Sequence, residues 1–184
     1  MAIACLPWAA LLACACLCMP PAARAQAPSE DAVKAVYLFK MRNYVEWPAT
    51  AAGPAGGRTV IGVVGAEKVA EHLLQIPAVR DSAGSGVTVR RLRIGDGIAG
   101  IDILFIGQGA WSRAAPLVAQ AHDQSTLVVS DSDDALSGGS IINFRLVDER
   151  IRFDISLESA ERANLKLSSQ LLSVALSVAR AKEK

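Results

Sequence analysis

Apolar residues along this chain follow two patterns, and the two alternate. One has the helical period and the other consists of short, unbroken runs rich in β-branched residues. Val33, Val36, Tyr37, Met41, Tyr44 and Val45 recur at helical spacing. Ser29-Glu30-Asp31 puts a capping side chain and two acids where that helix begins, and Pro48 after Trp47 stops it. Residues 49–57 are only Ala, Thr, Gly and Pro and read as a loop. Thr59 to Val64 is a strand-like run ended by Gly65, and a helix from about Ala66 to Leu74 follows. Further strand-like segments lie at Val87–Ile94, Ile101–Ile106 and Thr126–Ser130, with a helix from about Ala110 to Ala121 between the last two. Strands alternating with helices predict a largely parallel sheet covered on both faces.

Towards the end the pattern changes. Ser140–Leu146 and Arg150–Leu157 flank Val147-Asp148-Glu149, a polar turn suited to an antiparallel hairpin. A short helix from Glu158 to Ala163 ends at Asn164, which tolerates the left-handed conformation. Leu165 and Leu167 alternate around Lys166, as in an extended segment with one buried face. That segment either closes the core or forms a dimer or partner patch. Ser168 caps a final helix with Leu171, Leu172, Ala175, Leu176 and Ala179 on its buried side, and Arg180, Lys182 and Lys184 suit its negative end. The expected fold class is therefore α/β. A single domain holds a mostly parallel central sheet flanked by helices, with a C-terminal antiparallel hairpin and a final helix.

The 184 residues suit one domain with a full-sized core. Ile3 to Met19 carries no charge, Pro20-Pro21 breaks it, and Ala23-Arg24-Ala25 offers a small-residue cleavage site before Gln26. This layout predicts a secretory signal peptide over residues 1–25, cut near Ala25, and a mature domain over 26–184. The apolar stretch is short for a membrane span, and Pro7 interrupts it. Leu11-Leu12-Ala13-Cys14 loosely resembles a lipidation site and remains an alternative. Cys5, Cys14, Cys16 and Cys18 all precede the cut, so the mature domain has no thiol, disulfide or cysteine metal site. Removing Arg24 from the 19 basic residues leaves 18 against 18 acidic ones. A neutral chain without a block of like charge argues against nucleic acid or an anionic membrane as partner.

Motifs that would carry chemistry are incomplete. Gly95-Asp96-Gly97-Ile98-Ala99-Gly100 has the spacing of a dinucleotide fingerprint, but a strand follows it where a helix N-terminus is needed. Gly62-Val63-Val64-Gly65 lacks both the Lys-Ser/Thr of a phosphate loop and a third glycine. His72 and His122 have no second histidine at ligand spacing and read as polar helix-surface residues. Asp131, Asp133 and Asp134 open a calcium-like loop that continues with Leu136 and Ile142 where Gly and Glu would be required. There is no G-x-S-x-G elbow and no mature cysteine nucleophile. The expectation is a non-enzymatic protein without metal or cofactor.

Several stretches together resemble the YfiR (YfiR/HmsC-like) family. They are Val33-Lys34-Ala35-Val36-Tyr37-Leu38-Phe39-Lys40 with Tyr44-Val45-Glu46-Trp47-Pro48, then Ile61–Gly65, Ile103–Ile106 and Leu127–Asp131. Gly138–Phe144, Ile151–Ser156 and Ala163–Leu172 complete the ordered set over about residues 30–180. The resemblance implies a periplasmic protein, often dimeric, that binds the periplasmic sensor domain of an inner-membrane diguanylate cyclase. Repressing that enzyme lowers cyclic di-GMP and biofilm output. This chain departs from relatives that carry disulfides in the mature domain, and it has Asn164 where many have glycine.

A partner surface is expected within about 137–168, with Arg145, Arg152, Glu161, Leu165, Lys166 and Leu167 as its candidates. Trp47 either packs into the core or faces the partner, and Gly138-Gly139 reads as backbone geometry at a strand start. The alternative is a periplasmic small-molecule sensor, whose ligand would sit beyond the strand ends near Gly65, Gly107 and Ser130-Asp131.

Overall fold

The computed structural model describes residues 28–48, 58–80 and 86–180. The signal peptide, its cleavage site, the cysteines and the loop at 49–57 lie outside the described residues. In chain order the first elements are α1 (Glu30–Met41), β1 (Val45–Glu46), β2 (Thr59–Val64), α2 (Glu67–Gln75), α3 (Pro77–Arg80), β3 (Val87–Leu92) and β4 (Ile103–Ile106). Then come α4 (Gln108–Trp111), α5 (Ala115–Asp123), β5 (Leu127–Ser130), β6 (Ile142–Val147), β7 (Arg150–Ser156), α6 (Leu157–Arg162), β8 (Lys166–Leu167), α7 (Ser169–Val174) and β9 (Ser177–Ala179).

Seven strands form one sheet in the order β3-β2-β4-β5-β6-β7-β9. The first five are mutually parallel and follow the 2-1-3-4-5 order of a doubly wound α/β sheet. β7 returns antiparallel to β6, and β9 lies parallel to β7 at the edge. Alternate residues of the strands feed two cores. Ile61, Ile103, Phe105, Leu127, Val129, Phe144 and Phe153 pack with α1 and α2, which contribute Leu38, Met41, Val69 and Leu73. Val64, Leu104, Ile106 and Val128 pack on the other side with Trp111, Leu117 and Val118 of α4 and α5. The expected single-domain α/β fold is what the structure shows.

Local signals explain most boundaries. Ser29 is extended and its hydroxyl accepts from the Ala32 amide, fixing the start of α1. Ser156 and Ser168 cap α6 and α7 in the same way. Asn164 has φ +54°, the left-handed stop expected after α6. Asp148 and Glu149 have φ of +48° and +58°, so β6 and β7 are joined by a two-residue turn of the twist that hairpins favour.

Three expectations are corrected. The first helix does not run on to Trp47. It tightens into a 3-10 turn over Arg42–Tyr44, and β1 then pairs antiparallel with β8. The helix expected over 110–121 is two helices, because Pro116 fits only a first turn and the break falls at Ser112–Ala114. The final helix is six residues long, not a helix reaching Ala179. Ala175 turns extended, the Leu176 amide donates to the Phe153 carbonyl at 2.8 Å, and Ser177 donates to Asp154 at 2.6 Å. Sheet pairing with β7 thus displaces the helical continuation. Of the expected apolar stripe Leu171 is buried and Leu176 is 43% exposed, while Arg180 follows a strand and not a helix.

Two stability predictions follow from these contacts. Asp102 is 5% exposed and accepts the Val60 amide at 2.7 Å, yet burial pushes its carboxyl above the usual range, against the pull of that hydrogen bond. A raised carboxyl pKa means the folded state binds this proton more tightly than the unfolded chain, so ionisation costs stability near neutrality. Asp102→Asn keeps an acceptor for Val60. It should match or exceed the wild type in urea unfolding at neutral pH, with the difference shrinking as pH falls towards the ordinary carboxylate value of 3.8. Glu149→Gly should stabilise the hairpin by up to about 1.5 kcal/mol, since it removes a left-handed penalty of about 1–2 kcal/mol and adds about 0.5–1 kcal/mol of unfolded-chain entropy. A lowered urea midpoint would show that the turn carries no such penalty.

Candidate functional site

In a doubly wound sheet the crevice above the strand-order reversal, here between β2 and β4, is where a small ligand usually sits. At its centre the backbone closes on itself. A Cβ on Gly107 would lie 2.5 Å from the Gly65 carbonyl, and one on Gly65 would lie 2.6 Å from the Ala110 Cβ. The β2 and β4 turns therefore meet backbone to backbone, with α4 laid over them. Next to this contact, Asp131 accepts from the Gln108 amide at 2.7 Å and pairs with Lys34 at 2.7 Å. The Lys34 and Asp131 side chains are only 11% and 17% exposed. This bridge ties the first turns of α1 to the ends of β4 and β5 and supplies the anion that Gly107, the N-cap of α4, cannot. Of the expected ligand positions, Gly65 and Gly107 hold each other and Asp131 is engaged internally.

The remaining sequence motifs also resolve into structure. Gly95 and Gly100 have φ of +97° and +73° in the connection from β3 to β4, so the G-x-G-x-x-G stretch is a glycine turn between strands. Gly139 has φ +98°, and a Cβ on Gly138 would lie 2.8 Å from the Trp111 ring, so the Gly-Gly pair serves backbone geometry. His122 is half-buried rather than a surface residue: its Nε2 is 2.8 Å from the Gly139 carbonyl, and burial holds its pKa below the usual value of 6.5. Among the described residues no group of three or more His, Cys, Asp or Glu could hold a metal ion.

The proposed partner residues fall into two places. Arg145 and Arg152 face each other across β6 and β7 and are exposed. Leu165, Lys166, Leu167 and Trp47 gather at the β1–β8 pairing, where Lys166 is opposite Glu46 and Leu167 opposite Val45. Leu165 is 4% exposed and belongs to the core, while Leu167 and Trp47 pack partly against it. Glu161 is exposed on α6, which begins where β7 ends, away from the hairpin tip. Sequence reasoning missed Arg150. It lies two residues before Arg152 on the same strand and therefore on the same face, a relation that strand alternation could have revealed. It also missed Asp154, which is 4% exposed, bound to Ser177 and 3.5 Å from Arg145, and Asn143, whose buried Oδ1 has no hydrogen-bond partner.

Residues 31–176 match a family described as YfiR/HmsC-like. No curated protein matches. Among solved structures, the crystal structure of a conserved domain protein from Vibrio cholerae O1 biovar El Tor str. N16961 superposes with a TM-score of 0.56 at 13% identity. The match covers 82% of this chain and 60% of that chain, and likeness at this identity speaks for the fold alone.

The internal engagement of Asp131 can be measured. Lys34→Met should cost about 1–3 kcal/mol in chemical unfolding, because it leaves a mostly buried carboxylate with a single donor. Adding Asp131→Asn to that variant should recover part of the loss. Additive losses in the double variant would show the two groups to be uncoupled.

Proposed function

The chain belongs to the YfiR/HmsC-like family, whose members are periplasmic regulators rather than catalysts, and on that premise we propose that it binds and represses the periplasmic sensor domain of an inner-membrane diguanylate cyclase. Repression would lower cyclic di-GMP and the biofilm output it drives. The proposal includes export by a signal peptide over residues 1–25, a mature domain over 26–184, and action as a homodimer. It assigns no cofactor and no catalytic residue.

One observation carries this reading: an uncovered sheet face beside an open sheet edge, with charged side chains projecting from it. The second core contains no residue of β6, β7 or β9. Arg145, Arg150 and Arg152 stand exposed on that side, and β9 ends the sheet. Such a face is suited to a protein partner. Among the described residues no helix is long and apolar enough to cross a membrane, and the sensor domain of the cyclase is the part of that enzyme within reach in the periplasm. The ligand-sensor reading has less room here: Gly65 and Gly107 meet each other beneath α4, and a polar hollow is left only beside them, where Lys34, Gln108, Asp131 and Arg145 line it.

The deciding measurement is calorimetry between the protein purified from the periplasm and the periplasmic domain of a diguanylate cyclase encoded beside it. Micromolar or tighter affinity is expected, and no binding between two folded proteins would end the repressor reading. Alanine or charge substitutions at Arg145, Arg152, Glu161 and Lys166 should leave the thermal midpoint nearly unchanged while weakening binding at one of the two patches or both. Normal binding by all four variants would place the surface elsewhere.

A further inference from the structure

Strand alternation sends Ile142, Phe144, Ile151, Phe153 and Ile155 of the hairpin into the core under α1. The opposite face carries Arg145, Val147, Arg150 and Arg152, with Asn143 and Asp154 at its root. This arrangement breaks a rule of sheet pairing. Arg145 and Arg152 are direct cross-strand partners, and like charges placed opposite one another destabilise a sheet. The compensation inside the molecule reaches one arginine. Asp154 approaches Arg145 at 3.5 Å and spends its other oxygen on Ser177, while Arg150 and Arg152 make no ion pair among the described residues. Val147, Asp148, Arg150, Arg152 and Leu176 line a shallow hollow of about 340 Å³, in which Leu176 is 43% exposed.

We propose that this face docks a carboxylate-bearing segment of a protein partner, with Asp or Glu side chains seated on Arg150 and Arg152 and an apolar side chain resting on Val147 and Leu176. For the identity of that partner the proposal rests on the repressor reading. Its chemistry rests on the residues. The planar guanidinium fork matches a carboxylate bidentately, and the positive charges are all arginine, with no lysine on the face. Apolar side chains set among arginines have the composition of a protein interface. A nucleic acid is disfavoured by the near balance of 19 basic and 18 acidic residues over the chain.

The test uses Arg150→Glu/Arg152→Glu, sparing Arg145 because it answers Asp154. Arg150→Gln/Arg152→Gln serves as the milder pair should the first fail to fold. Where the wild type binds the cyclase's periplasmic domain, the double variant should bind at least about tenfold more weakly, with a matching loss of wild-type affinity in high salt. Equal binding by a folded double variant overturns the inference and leaves the repressor reading standing. Where the wild type does not bind that domain, the repressor reading falls and a peptide titration decides the inference. The side-chain Nε–H signals of Arg150 and Arg152 are followed by NMR as an acetylated, amidated Glu-Val-Glu-Val-Glu-Val peptide is added. Saturable shifts at both arginines, absent with the Lys-Val counterpart, support the inference. No shift at these arginines, or equal shifts with a thymidine oligonucleotide, overturns it.

Discussion

The strands Ile103–Ile106 and Leu127–Ser130 have no residue that water can reach, and the rest of the molecule is arranged around that requirement. Backbone so placed must be paired on both edges and its side chains covered on both faces. The edges are supplied by β2 and β6. One face is covered along its length by α1 and α2, reinforced by Ala160 of α6 and Leu171 of α7. The other face has only α4 and α5, of four and nine residues. Two short helices cannot cover seven strands, so the outer strands on that side are left to water or to a partner. The candidate functional face is therefore a by-product of how the core is closed.

Much of this was legible from the order of apolar runs. The parallel strands, the hairpin, the helix starts at Ser29 and Ser168 and the helix stop at Asn164 each depend on a few neighbouring residues, and local chemistry fixed them. What stayed hidden depends on contacts distant in sequence. The helical spacing of Tyr44 and Val45 is real, but the pairing of Val45 with Leu167 outweighs it. Leu176 and Ala179 fit a helix stripe, but the Phe153 carbonyl and the Asp154 carboxylate draw this segment into the sheet. The candidate surface was half legible for the same reason. Arg145 and Arg152 could be picked as charged hairpin residues, whereas the burial of Leu165 became visible only once α6 was folded back onto the sheet.

The fold class alone would have pointed to a ligand above the centre of the sheet, the usual position in doubly wound proteins. Here the centre of that position is closed by the contact of Gly65 with Gly107, and Lys34 and Asp131 beside it are paired with each other. A shared architecture thus carries a different emphasis. Arg150 and Arg152, without an ion pair among the described residues, and the unpartnered Oδ1 of Asn143 lie on the added hairpin and not over the centre of the sheet.

The packing of α1 has a consequence for the order in which the protein is built. Lys34 meets a partner 97 residues away, and Tyr37 sets its ring edge-to-face against Phe153 at 5.8 Å. The first helix made is thus buried by nearly the last strands made, and the large core cannot close while the hairpin is missing. Closing such long loops is slow compared with local folding. A nascent chain of this kind stays open until most of its length has emerged. That is the condition a polypeptide needs if it is to be threaded through a membrane before it folds.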